Sequence, residues 1–153
     1  MRTQHKGKMV KVYVAGKWGD RHIIADVICQ LEEKGIEITH NWTTSEVFDD
    51  DKKTEEYAVL YSELDIDGVR RADVMIAIIT DPDYAYRGTC TELGAALGLR
   101  KPVYVIDPYD NSGFASNIFS KHRLVKKVDH ISELIAILLH SDQKHMEPDP
   151  IQH

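Results

Sequence analysis

Cysteine is scarce in this chain: two in 153 residues. Cys29 and Cys90 both fall in apolar, helix-like stretches, which excludes a disulfide framework and leads one to expect two buried thiols in a reducing, cytoplasmic setting. Long apolar runs are missing too. The longest, VMIAII from Val74, is far short of the ~20 residues a bilayer span needs, and the opening MRTQHKGK has no apolar segment of the secretory kind. A soluble, unexported chain without membrane contact is expected. Positive charge is also lacking, with a formal net charge of -6 and a pI near 5.7. That argues against a nucleic acid polymer as partner, because counterion release needs clustered Lys and Arg. A small anionic substrate needs only one or two local cations and stays open. His140, His145 and His153 have no metal-ligand spacing. The turn AGKWGD carries two glycines where a dinucleotide fingerprint needs G-x-G-x-x-G. Neither a metal nor a cofactor is expected.

What is present is an alternation of two periodicities. Short β-branched runs begin at Met9, Gly35, Asp73, Lys101 and Arg123, and helical patterns over residues 20–34, 54–72, 89–99 and 131–139 lie between and after them. The first helical pattern places Ile23, Ile24, Val27, Ile28 and Leu31 on one face and meets Gly35 at its stop. The second is more polar, with Tyr57, Leu60, Tyr61, Leu64 and Val69 as its apolar stripe. Strand and helix in strict turn predict a single α/β domain over residues 1–142. It is Rossmann-like or flavodoxin-like, with about five parallel strands and helices on both faces. Residues 143–153 lack periodicity and read as a flexible tail. The turn-rich loop PYDNSGFASN reads as a lid or an oligomer contact.

Ligands of such sheets collect beyond the carboxyl ends of the strands. After the first strand, Gly16 and Gly19 would let a ligand approach the backbone, and Trp18 would stack on a planar base; a tight turn around a partly buried Trp explains the same residues equally well. After the second strand, HNWTT offers another aromatic, and after the third come Asp81, Asp83 and the turn YAYRG with Arg87 and Gly88.

Glu92 follows that turn and has two readings. Thr89 and Glu92 fit the capping box S/T-x-x-E, with Thr89 as N-cap and Glu92 reaching back to its amide. Against a purely structural helix stand Gly94 and Gly98, each costing ~1 kcal/mol relative to Ala. They make sense where the helix lies very close to the sheet or to another chain. Asp65 supplies a second carboxylate near the same turn, and two acids in one crevice suit glycosidic cleavage, one at the anomeric carbon and one managing a proton. Asp65 and Asp67 read equally as a solvated helix end.

From about Val10 to Leu139 the chain resembles the nucleoside 2-deoxyribosyltransferase family, which includes base-exchanging transferases and hydrolases of nucleoside 5′-monophosphates. VYVAG resembles the family's opening strand and implies that Tyr13 is its active-site tyrosine. ELDIDGVRRADVMIAII resembles the segment D-x-x-x-(I/V)-x-x-(A/S)-D, implying a catalytic Asp65 and a structural Asp73. RGTCTELGAALGLRKPVYVI resembles G-x-x-x-E-L-G-x-A, implying that Glu92 is the nucleophile. The implied activity is N-glycosidic cleavage of (2′-deoxy)nucleosides or their 5′-monophosphates through a glycosyl-glutamate, with the sugar passed to another base or to water.

Departures from the family pattern concern the 5′ group. Where the hydrolase branch places serines, this chain has Lys17 in the first turn and Arg87 in the loop before the glutamate. Lys17 and Arg87 would hold a phosphate, or Arg87 would pair with Asp81 or Asp83. Asn117 stands as far beyond the glutamate as an asparagine that, in the transferase branch, reaches the neighbouring subunit's site; capping a short helix is the plain alternative. Exposed Phe114 and Phe119 would suit a symmetric contact, so a homo-oligomer with shared active sites is expected. A phosphoribohydrolase motif, P-G-G-x-G-T-x-x-E, matches RGTCTE only weakly. The alternative from another class is a non-catalytic nucleotide-binding or sensing module on the same scaffold.

Overall fold

A computed structural model describes residues 9–45 and 55–140. Five strands, β1 Lys11–Ala15, β2 Glu37–Ile38, β3 Val74–Ile78, β4 Val103–Ile106 and β5 Val125–Val128, alternate with helices α1 Arg21–Glu33, α2 Glu55–Arg71, α3 Arg87–Gly98 and α4 Ile131–His140. All pairings are parallel in the order β2-β1-β3-β4-β5. The chain steps one way from β1 to β2 and the other way from β3 to β4. With right-handed crossovers this sends helices to opposite faces and opens a crevice between the carboxyl ends of β1 and β3. The five-stranded parallel α/β fold expected from the alternation is the one found. The assigned tail, with His145 and His153, lies outside the described residues.

The core follows from the central strands, whose residues Val12, Val14, Val74, Met75 and Ile76 are fully buried, as strands covered on both faces must be. From the other side, Ile24, Ile28 and Leu31 of α1 close on them. That helix stops where the sequence asks, with Gly35 at φ +78 and the amides of Gly35 and Ile36 bonded to the carbonyls of Glu32 and Leu31, a Schellman end. At the sheet edge, β5 turns Lys126 and Lys127 to solvent, which discourages pairing with another chain.

Several expectations are corrected. β2 is only two residues long. The chain then leaves the sheet, Thr39 Oγ1 donates to the Gly68 carbonyl at 2.7 Å, and Trp42 turns inward to donate Nε1–H to the Val14 carbonyl at 2.7 Å. Of the apolar stripe assigned to α2, only Val69 is buried, while Tyr57, Leu60 and Leu64 are exposed, because only the last turns of the helix lie on β1. Cys29 is exposed and Cys90 half-buried. Phe114 is not a surface aromatic but 1% exposed, whereas Phe119 is exposed as expected. In the loop after β4, Asp107 accepts from the Tyr109 amide and from Ser112 Oγ, and the Gly113 amide donates to the Pro82 carbonyl at 2.8 Å.

Glycine explains some close contacts and fails to explain others. Gly94 and Gly98 have open space where a Cβ would stand, so neither is required by the sheet; Gly16, Gly68 and Gly113 are the tight ones, a Cβ built at Gly68 lying 2.9 Å from both His40 Cβ and Tyr13 Cδ2. Gly94→Ala should therefore stabilise by about 0.5–1 kcal/mol. Gly68→Ala should destabilise by about 1–3 kcal/mol through overpacking. Urea denaturation of the two variants should move the midpoint in opposite directions.

Candidate active site

β1 points Tyr13 into the crevice because its neighbours Val12 and Val14 face the opposite side of the pleat. α3 brings Glu92 to meet it, and the Tyr13 hydroxyl donates to Glu92 Oε2. This overturns the capping box. α3 begins at Arg87, two residues before Thr89, and its N-cap is Tyr86 in the left-handed region at φ 52. Thr89 is therefore buried inside the helix, and the Glu92 carboxylate turns away from the helix start toward β1.

Tyr86 is the part of this arrangement that sequence reading missed. Its phenolic oxygen accepts from the amides of Thr80 at 2.8 Å and Asp81 at 3.0 Å. Thr80 Oγ1 in turn donates to Asp20 at 2.6 Å. A left-handed tyrosine costs roughly 1–3 kcal/mol of backbone strain and persists only where its surroundings over-determine it; here the side chain is fully buried against Phe114 with its oxygen doubly bonded. The signal in the sequence was slight, a tyrosine one residue before the arginine of the turn.

Asp65 reaches the same crevice from the middle of α2, not from its end. Asp67 points elsewhere and pairs with Arg70 and Arg71, so the two aspartates part: one is site, the other solvated helix surface. Asp73 accepts from the Lys11 amide at 3.0 Å, pinning the start of β3 to β1. His40 Nε2 stands 3.5 Å from Asp65 Oδ1, and among the described residues these two buried atoms lack a hydrogen-bond partner.

The acids share one electrostatic condition. Burial pushes the Glu92 carboxyl up to about 8, with Asp65 adding to the rise and the Tyr13 hydrogen bond opposing it. Burial likewise raises Asp65, against the pull of His40 and Tyr13. Tyr13 is raised well above the ordinary phenol range by burial and then by the two carboxylates. Desolvation is the larger effect in each case.

Around these groups lies a cavity of about 540 Å³ lined by Tyr13, Gly16, Trp18, Asp65, Gly88 and Glu92, with Trp42, Tyr61, Tyr84 and Tyr86 as further aromatic walls. The volume is in the ~300–1,000 Å³ range of small-molecule pockets. Trp18 and Trp42 stand with ring centroids 5.9 Å apart. Of the residues singled out from the sequence, Lys17, Asp81, Arg87 and Asn117 do not line it. Lys17 Nζ pairs with Asp81 at 2.7 Å and lies over the Tyr84 ring. Arg87 is exposed and, among the described residues, pairs with neither Asp81 nor Asp83. Asn117 caps the short 3₁₀ turn Ile118–Lys121, accepting from the Phe119 amide at 3.0 Å. Among the described residues no cluster of His, Cys, Asp and Glu could hold a metal ion, and no helix is long and apolar enough to cross a membrane.

Fold and cavity define a doubly wound α/β protein with a cavity of small-molecule size at the carboxyl ends of β1 and β3. The chain belongs to the nucleoside 2-deoxyribosyltransferase family, whose model matches residues 12–136. Among solved structures it is similar to a CMP N-glycosidase of Clostridium botulinum, at 22% identity over 84% of this chain and 97% of that one, with a TM-score of 0.55. It is similar also to a 2-deoxyribosyltransferase of Bacillus psychrosaccharolyticus, at 20% identity over 94% and 100% of the two chains, with a TM-score of 0.62. A conserved protein of Enterococcus faecalis V583 shares 14% identity over 86% of this chain and 98% of its own, with a TM-score of 0.59. No curated protein matches the chain.

The raised Glu92 carboxyl has a consequence for stability. Unfolded, Glu92 loses its proton near the ordinary value of 4.5; folded, it holds the proton to about 8. Unfolding between those values releases a proton, so rising pH favours the unfolded chain and the stability Glu92 contributes at low pH is lost by about pH 8. Glu92→Gln should therefore raise Tm over the wild type more at pH 9 than at pH 5. Scanning calorimetry showing an equal gain at both values would contradict the buried, proton-holding state.

Proposed function

We propose that this chain cleaves the N-glycosidic bond of nucleosides or nucleotides, with Glu92 as nucleophile. The observation that carries this reading is the meeting of Glu92, Asp65 and Tyr13 in one aromatic-walled cavity. In its ionised form Glu92 attacks C1′ as the base departs, forming a glycosyl ester, and Asp65 delivers a proton to the leaving base. A second base, or water, then attacks C1′ from the face opposite Glu92, giving its proton to the Asp65 carboxylate and releasing Glu92, so the configuration is retained overall. The Tyr13 hydroxyl holds the Glu92 carboxylate in line for attack. Trp18, beside Gly16, offers a face on which a base stacks. The aromatic walls exclude water and strengthen every charge interaction at the reacting carbon.

The same proposal includes a cytoplasmic homo-oligomer in which Asn117 serves the neighbouring subunit's site. Its support is the position of Asn117 outside its own cavity, next to the exposed Ile118 and Phe119.

Glu92→Ala should lose glycosidic cleavage by several orders of magnitude while keeping its fold by circular dichroism. A 2-fluoro-2-deoxy nucleoside should leave a sugar adduct on Glu92 of the wild type, found by peptide mass spectrometry. An adduct on another residue, or normal turnover by the variant, would refute the assignment, and binding of nucleosides without turnover would favour a sensing module.

The assembly is tested by mixing. Glu92→Gln and Asn117→Ala should each be impaired alone, and subunit exchange between them should restore part of the activity. Exchange shown by mass labelling without recovery, or a monomer by light scattering, would remove the shared-site proposal.

A further inference from the structure

Beside the proposed acid stands a side chain to which the cleavage reading gives no task. His40 Nε2 faces Asp65 Oδ1 at 3.5 Å. Both atoms are buried, and among the described residues neither has a hydrogen-bond partner. Buried polar atoms of a native fold are nearly always paired, because an unpaired one costs its full desolvation; two that face each other at the limit of bonding distance need an explanation. The imidazole is not placed there by a loose chain. Its neighbour Thr39 donates its hydroxyl to the Gly68 carbonyl at 2.7 Å and its amide to the Val12 carbonyl at 2.9 Å. The Thr39 carbonyl accepts from Arg71 at 2.6 Å. Gly68, one helical turn after Asp65, is where α2 meets His40, since a Cβ built there would lie 2.9 Å from His40 Cβ. The segment carrying His40 is thus tied to β1 on one side and, on the other, to the turn of α2 that follows Asp65.

From this geometry we infer that His40 is a positioning residue for the cleavage: its Nε2–H, aimed at Asp65 Oδ1, turns the other carboxyl oxygen to the leaving base and stabilises the charge Asp65 acquires on giving up its proton. The inference rests on the cleavage reading above and adds a residue to it. Asp65 lines the cavity with 33% of its side chain open, while Oδ1 is buried, so the proton is exchanged at Oδ2. In the first step the Oδ2–H bond breaks, the proton bonds to the departing base, and the electron pair stays on Asp65 as a carboxylate. His40 remains neutral and keeps its own proton. A neutral acid draws weakly on a donor and a carboxylate draws strongly, so the gap is one that charge closes. When the incoming base or water returns a proton to Oδ2, the hydrogen bond relaxes again. A donor already in place where charge develops needs no reorganisation during the reaction. A pair built for stability alone would be closed at rest, as Arg71 and Asp67 are at 2.8 Å on the same helix.

The test varies the leaving group. On a base ring that the wild type cleaves, kcat/KM is measured across substrates whose ring substituents make the base a progressively better leaving group, for the wild type, His40→Leu and His40→Gln. Leucine removes the donor at similar bulk, whereas the glutamine amide reaches the place of Nε2 and restores an N–H. His40→Leu should lose about ten- to a hundredfold on the poorest leaving base, the range for a hydrogen bond to a charged group, and less than about threefold on the best, which departs with little need of a proton. His40→Gln should recover most of the loss. An equal loss across the series, no loss at all, or a glutamine no better than leucine overturns the inference while leaving glycosidic cleavage standing. Melting curves check the fold, and if His40→Leu does not fold, His40→Asn, whose amide is too short to reach Asp65, takes its place. A wild type that cleaves no member of a panel of nucleosides and 5′-monophosphates overturns the cleavage reading, and this inference with it.

Discussion

One hydrogen bond, from the Tyr13 phenol to the Glu92 carboxyl group, joins β1 to α3. Its two ends come from rigid elements, a strand with fully buried neighbours and a helix whose N-cap, Tyr86, is locked by its phenol oxygen holding two amides. Neither group has freedom to seek water. The carboxylate thus remains in a desolvated position that it would leave if its supports allowed. Gly68 belongs to the same construction, since only the absence of a Cβ lets α2 press against the Tyr13 ring and bring Asp65 within reach of the other two.

All three acidic groups of the crevice are harder to ionise than in water. Burial is the first cause in each case. On the proposed reaction, positive charge is what develops: as the base leaves, the anomeric carbon and ring oxygen take on oxocarbenium character beside carboxylates in a medium of low dielectric. The desolvation that makes the empty site uncomfortable for anions is the condition under which those anions act most strongly on a transient cation. Stability and chemistry pull in opposite directions on the same side chain, a common state of affairs at functional sites.

The alternation of strand and helix was legible in the sequence because β-branched runs and helical periodicity report burial directly, and every strand and helix expected is found. Of the proposed site, Tyr13 was readable only through resemblance, whereas Glu92 and Asp65 were raised first as a pair of acids and singled out from their capping and solvated readings by the resemblance. Local pattern pointed to Thr89 and Glu92 as a cap, and it failed because the helix start is set by a tertiary contact, the buried Tyr86, rather than by a capping side chain. The α2 stripe misled for a related reason: periodicity shows which residues share a face, not whether anything covers that face. Gly68 and His40 carried no local signal, since a close approach between α2 and β1 exists only once both are placed. Lys17 and Arg87 looked equivalent as cations in the sequence; the structure separates them, because pairing depends on which carboxylate the fold brings near.

The sheet order also governs how the chain comes together. β1 is first in sequence yet lies inside the sheet, and its main partner β3 begins more than sixty residues later, with Lys11 bonded to Asp73 across a separation of 62. During synthesis the N-terminal strand waits, half-covered by α1, until β3 emerges, and contacts of such long range are the slow ones in folding. Tyr13 and Glu92 are separated by 79 residues. Their meeting requires β1, β3 and α3 all in place, so the crevice depends on the long-range contacts that form slowly in folding.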